Sequence, residues 1–393
     1  MDETHEWRAW LTALRTPGVG PGVLREQLHA MGNDIQAVLA QLWRHRAALG
    51  PGAAAWLRQP DEARLATDLA WLATPGHRLL RCTDADFPPQ LEHIPQPPAA
   101  LFVVGDASAL LYPQVAIVGA RAASMGGLTH ARVFSRALAQ AGFAVTSGLA
   151  DGIDAAAHTG ALEAGGLTLA VMGTGPDLVY PRKHQALAQR IAAHGALVSE
   201  FPPGTAARAD HFPRRNRLIA GLALGTLVVE AGLRSGSLIT ARLAGEQGRE
   251  VFALPGSIDN PLARGCHRLI RDGARLVEAA AEIVGTLAPA ARMLGGELAA
   301  RLAASAPDER PVRRAATPGQ EVVAASVVQG TDPALQQLLC ELGHDPVTLD
   351  ELAARTGQSP AALGAQLLML ELEAKVESLS GNRYQRVPAA GDD

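Results

Sequence analysis

The sequence predicts an α/β protein: a largely parallel sheet flanked by a small helical N-terminal domain and a C-terminal winged helix. Three observations carry this. Between residues 115 and 277 short apolar runs alternate with helix-length segments, the mark of repeated βαβ units. All five tryptophans lie in the first 71 residues, which sets that stretch apart. The last sixty or so residues return to a helix-turn-helix pattern followed by a hairpin.

With 393 residues the chain is long enough for two or three domains. A 48% hydrophobic and 19% charged composition describes a globular chain with a substantial core. The 35 basic residues are 33 arginines and only Lys183 and Lys375, as a GC-rich genome would give. Net charge is −4, so any polyanion site has to be a local cluster. Cys82, Cys266 and Cys340 are widely spaced and fit no metal or redox spacing, which points to a reducing, cytoplasmic setting. The start, MDETHEWRAW, has no apolar core of a signal peptide, and no run nears the roughly 20 residues of a membrane span.

Residues 1–75 read as short helices. Trp7, Trp10, Leu11 and Leu14 have helical spacing, and Pro17-Gly18-Val19-Gly20-Pro21-Gly22 is a tight turn before a second helix through Leu24 and Leu28. Two helices around such a turn resemble a helix-hairpin-helix unit; a turn in a small bundle is the simpler reading. Residues 76–287 form the main domain. It opens with proline-rich turns and short strands at 79–81 and 101–104. Strands follow at 115–118, 143–146, 168–172, 196–199, 226–229, 251–253 and 275–277, with helices to about 141 and over 153–164, 182–194 and 211–223. Residues 288–330, rich in Ala, Pro and Arg, read as a flexible linker. Within 331–393, helices at 335–342, 348–355 and 359–374 and a hairpin over 376–387 make the winged helix.

In a parallel sheet, ligands bind at the carboxyl ends of the strands, and every unusual motif here follows a strand. Gly119-Ala120-Arg121 is not G-x-G-x-x-G, so no dinucleotide cofactor is expected; its helix start and the guanidinium of Arg121 suit a phosphate. Ser147-Gly148 opens the second loop, where Asp151 or Asp154 is expected to cap the next helix and His158 to be structural. Arg182 and Lys183 sit at a helix start, where cations oppose the helix dipole, so a binding role is suggested. The densest cluster is His211, Phe212, Arg214, Arg215, Asn216 and Arg217. A positive groove with stacking rings is how single-stranded nucleic acid is held. One of these arginines has Glu200 or Glu230 as an alternative partner.

Taken together, VAIVGARAAS, SGLADGIDAAAH, GTGPDLVYPRKH, SEFPPG, HFPRRNRLIAGL, VVEAGLRSGSLITARLA and ALPGSIDNPLARGCHRLIRDGA resemble, in order, the DNA-processing protein A (DprA/Smf) family. The resemblance covers about residues 76–285. It implies an extended Rossmann-like sheet, a homodimer, binding of single-stranded DNA, and loading of the RecA recombinase during natural transformation of competent cells. It also implies a DNA pocket at Arg121, Lys183 and Arg214–Arg217. Asp151 departs from the pattern, standing where many relatives carry a basic or neutral residue.

Two other readings remain open at this point. Gly225-Thr226-Leu227-Val228-Val229-Glu230 has the shape used by lysine-decarboxylase-like nucleotide hydrolases, with Glu230 as acid or base, but no second carboxylate or metal cluster accompanies it. The winged helix suggests a transcription regulator. Yet residues 331–393 carry ten acidic and four basic side chains, and the recognition helix 359–374 offers only Gln366 to a base edge. A protein-docking or packing role fits that domain better than reading of duplex sequence.

Overall fold

In a computed structural model the structure describes residues 3–305 and, beyond them, 338, 347–348, 352–353, 356, 358, 363, 366–367, 370–371, 375–379 and 383–387. The chain divides into two units, Met1–Pro307 and Asp308–Asp393.

The first unit begins with five helices: α1 (Glu3–Leu14), α2 (Pro21–Ala30), α3 (Ile35–Arg44), α4 (Pro51–Arg58) and α5 (Glu62–Leu72). Asp34 and Asp61 cap α3 and α5, accepting from Gln36 and Ala37 N–H and from Arg64 N–H. The turn between α1 and α2 places Gly18 at φ +79°. This bundle does not close its core alone. Trp10, Leu24, Leu28, Val38 and Leu65 pack with Leu79, Ala100 and Phe102 of the first two strands. The helical segment expected as a separate domain therefore shares its core with the sheet that follows.

That sheet has nine strands: β1 (His77–Arg81), β2 (Ala100–Gly105), β3 (Gln114–Val118), β4 (Ala144–Ser147), β5 (Thr168–Met172), β6 (Gly195–Ser199), β7 (Gly225–Val228), β8 (Glu250–Ala253) and β9 (Arg275–Leu276). Their spatial order is β1-β2-β6-β5-β4-β3-β7-β8-β9. From β6 to β9 every pairing is parallel; β2 runs antiparallel to both β1 and β6. Alternate residues of β3 feed opposite faces. Val115 and Ile117 pack with α6 (Met125–Gln140) and α7 (Ile153–Glu163), while Ala116 and Val118 pack with α9 (His211–Leu222), α10 (Ser237–Glu246) and α11 (Arg264–Arg271). Helix α8 (Gln185–His194) covers β5 and β6. The sheet is thus doubly wound, and the chain changes direction at β3, with β4 on one side and β7 on the other.

Helix α12 (Ala280–Ser305) corrects the expected linker: its first eighteen residues, 288–305, are helical, with Pro289 inside. Ile283, Leu287, Leu294 and Leu298 recur at helical spacing and join the α6 side of the core. The rest of the expected linker, 306–330, lies outside the described residues.

In the second unit, β10 (Val347–Thr348), β11 (Val376–Leu379) and β12 (Arg383–Arg386) pair antiparallel in the order β10-β12-β11. Leu338, Leu352, Leu363, Leu367 and Leu370 pack on Val347 and Val376. Gln366 is half-buried, its side-chain oxygen enclosed without a partner among the described residues.

Beneath the sheet, His158 of α7 is fully buried. Its Nδ1 donates to Thr168 Oγ1 at 2.7 Å, because that hydroxyl donates onward to Val145 O at 2.8 Å. Nε2 has no partner. Burial above all, with His184 and Arg215 nearby, pushes its pKa from 6.5 down to about 3. The unfolded chain takes up a proton below about 6.5 that the folded chain refuses, so stability is full above that value and falls as pH drops toward 3. The slope is about 1.4 kcal/mol per pH unit from this group. Urea denaturation between pH 7 and pH 4.5 should show that decline, and a His158→Leu variant should show a shallower one. Equal slopes would reject this account.

Candidate nucleic-acid interface

The loops after β3, β5, β6 and β7 surround a groove of about 860 Å³ at the switch point. Arg121, Arg208, Arg215 and Arg234 line it with Tyr180 and Phe212; the one carboxylate in its lining is the buried Asp154. The Arg121 guanidinium stands over the Phe212 ring, 5.9 Å from its centroid, and the Tyr180 ring lies 5.5 Å from that of Phe212, tilted by 44°. Gly173 makes room for this ring: a Cβ there would fall 2.9 Å from Phe212 Cδ1. His211 stacks on Phe201 at 4.1 Å and donates from Nδ1 to Gly173 O at 3.2 Å, fixing the start of α9 against the β5 loop.

Successive residues of a helix point about 100° apart, so the three arginines of α9 go three ways. Arg214 is half exposed and reaches Glu200 at 3.3 Å. Arg217, one turn on, pairs with the same carboxylate and is buried with it. Arg215 turns inward, donating to Gly148 O at 2.8 Å and to Val171 O. A Cβ at Gly148 would lie 2.3 Å from its Nη1, so that glycine is the slot the guanidinium fills. Burial lowers the Arg215 pKa to about 10 against the opposing pull of Asp154, and burial raises that of Asp154 against the pull of Arg215. Arg215 and Asn216 line the groove; Arg214 and Arg217 do not. Arg217 is thereby corrected from an expected DNA contact to the buried partner of Glu200.

Other expectations change for similar reasons. Ser147 is fully buried, its hydroxyl donating to Ile117 O at 2.6 Å, and so is not available to a ligand. Neither aspartate caps α7. Asp154 accepts from Gly148 and Ala150 N–H, and the N-cap is Gly152 at φ +74°, where a Cβ would lie 2.2 Å from Ala120 O. The start of α6, expected to receive a phosphate, already holds the protein's own anion. Glu230 Oε2 accepts from Ser124 N–H at 2.9 Å and Oε1 from Ser124 Oγ at 2.7 Å, while Ser124 Oγ accepts from Gly127 N–H. Glu230 is 7% exposed, so the carboxylate invoked for a nucleotide hydrolase is a helix cap. Gly119 lines the groove and also lets two loops cross, a Cβ there falling 2.5 Å from Ile153.

Beside the groove, sharing Arg121 and Ala122, is a second cavity of about 370 Å³ with Arg132, Lys183 and His184 in its wall. Lys183 Nζ is held by Asp151 at 2.8 Å, and His184 Nε2 lies 3.2 Å from the same oxygen. Arg182 is exposed and lines neither cavity. Tyr180, Arg208 and Arg234 join the site although the sequence does not single them out. Gly232-Leu233-Arg234-Ser235-Gly236-Ser237, a glycine-rich loop between a strand and a helix, was the signal for the last. Releasing Lys183 by Asp151→Asn should tighten polyanion binding by about two- to fivefold, the scale of an exposed ion pair. The salt slope should steepen by about 0.7. Anisotropy titrations at two salt concentrations test this; an unchanged slope would reject it.

A model of the DNA recombination-mediator protein A family matches residues 78–288, and a DprA winged helix domain model matches residues 323–382. The chain belongs to the DprA/Smf family. Protein Smf of Escherichia coli is 42% identical over 325 residues, 82% of this chain and 81% of that one. DNA processing protein DprA of Streptococcus pneumoniae is 45% identical over 201 residues, 51% and 71% of the two chains. The crystal structure of the S. pneumoniae DprA superposes with a TM-score of 0.62 at 34% identity, covering 72% of this chain and 98% of that one. A Helicobacter pylori DprA structure, described for its single-stranded DNA binding mode, matches at a TM-score of 0.50 and 29% identity over 54% and 96%. Among the described residues no helix is long and apolar enough to cross a membrane.

Proposed function

We propose that this DprA/Smf-family chain binds single-stranded DNA in the switch-point groove. Arg121, Arg208 and Arg234 meet phosphates within it, the exposed Arg182 meets a fourth outside it, and Phe212 with Tyr180 stacks a base. The observation that carries the reading is Arg121 standing over the Phe212 ring beside Tyr180. Charge and a π-face then meet on one rim, which is what a single strand requires. Gly119, Gly148, His211, Arg215 and Asn216 shape that rim from beneath. Lys183 joins it once free of Asp151, and Arg214 offers a further cation at its edge.

The H. pylori relative's described single-stranded DNA binding supports the ligand class. On the same footing we extend the reading to a non-enzymatic cytoplasmic homodimer that protects incoming DNA and loads RecA onto it during natural transformation. Fluorescence anisotropy with oligothymidylate across a salt series tests the binding step. With about four phosphates met, log K should fall against log salt with a slope near −2.8. A flat response, or equal affinity for duplex of the same length, would overturn the proposal. Strand exchange by RecA on DNA coated with a single-strand-binding protein tests the loading step: the chain should relieve the block.

A further inference from the structure

From the contacts of one buried arginine we infer that the N-terminal helical bundle braces the DNA groove, with Arg15 as the positioning residue. The inference rests on the single-strand reading above. Arg15 follows α1 and forms a two-armed ion pair with Asp68 of α5, Nε to Oδ2 at 2.5 Å and Nη2 to Oδ1 at 2.6 Å. Both side chains are almost wholly buried, at 8% and 1% exposure. Nη2 also donates to Pro203 O at 2.8 Å, across 188 residues of sequence.

Pro203 belongs to the segment between β6 and α9, which has no regular structure between Phe201 and Asp210. That segment supplies Ala207, Arg208 and Ala209 to the wall of the groove. Its attachments cluster at one end. Gly204 N–H donates to Asp177, and Thr205 O accepts from Gly175 N–H at 2.8 Å. Beyond them, Arg208 meets only the exposed Asp210 until His211 N–H closes onto Arg208 O. The position of Arg208 is therefore set between anchors at residues 203–205 and the start of α9, and among those anchors Arg15 is the one that comes from the helical bundle. A buried ion pair is a costly way to join two helices that already share an apolar core. Its third hydrogen bond, to a loop of the groove, gives the pair a use that packing alone does not.

Two full-length variants separate bracing from folding. Arg15→Lys keeps a charge for Asp68 but lacks a fork to reach Pro203 as well. Arg15→Met with Asp68→Leu removes both buried charges together, a replacement that leaves stability near its starting point. Affinity for oligothymidylate, melting temperature and hydrogen exchange over residues 203–210 are measured for each. The expected result is a folded protein with faster exchange in that segment and binding weaker by about tenfold, the worth of one hydrogen bond from a charged donor. Unchanged affinity overturns the inference, whether or not exchange rises, and so does weaker binding without faster exchange in 203–210. Failure of the unaltered chain to bind oligothymidylate would instead overturn the single-strand reading itself.

Discussion

An Arg217→Ala variant is expected to lose about 3 kcal/mol of stability, because it removes the buried partner of Glu200 and leaves that buried carboxylate to the half-exposed Arg214. Glu200 and Arg217 are 6% and 8% exposed. Arg214, at 3.3 Å and half exposed, stays near the carboxylate; its own removal should cost no more than about 1 kcal/mol. Arg215→Ala belongs with Arg217→Ala, since it leaves the carbonyls of Gly148 and Val171 without their donor. A triple alanine change of Arg214, Arg215 and Arg217 would thus report on folding more than on phosphate contact. Urea denaturation of the three single variants decides the matter: a loss below about 1 kcal/mol for Arg217→Ala would mean that Arg214 alone suffices for Glu200. The pair Arg217→Met with Glu200→Leu should recover most of the stability.

Loss of the Phe212 ring should be the largest single effect on DNA binding. Base–aromatic stacking is worth about 1–3 kcal/mol, so Phe212→Leu, which still fills the space over Gly173, should weaken oligothymidylate binding about ten- to hundredfold. The loss should be similar at every salt concentration, because no charge is removed. Arg121→Ala should behave in the opposite manner, weakening binding less and making the salt slope shallower by about 0.7. Circular dichroism and melting temperature serve as folding controls for both. Unchanged affinity in Phe212→Leu would remove stacking from the account and leave a groove that holds phosphate alone.

Both predictions depend on features of unequal visibility in the sequence. Strand positions were legible because a strand buried on both faces must be a short apolar run, as β2 to β7 are. The ligand edge was legible too, since parallel strands put all their exit loops on one side. The helix over 288–305 was not, because its alanine-rich composition hides an apolar stripe whose leucines at 294 and 298 matter only against α6. The pairing of Asp151 with Lys183 was not legible, because the two stand 32 residues apart and meet only in the fold.

What the sequence determined by itself was the order of elements, the edge of the sheet where ligands meet it, and the family, because those follow from local periodicity and ordered motifs. Which arginines face a ligand was decided only in the tertiary structure. Arg214, Arg215 and Arg217 are chemically alike and nearly adjacent. Their fates differ because the phase of one helix aims one outward, one into a slot left by Gly148, and one at a carboxylate 17 residues earlier in the chain.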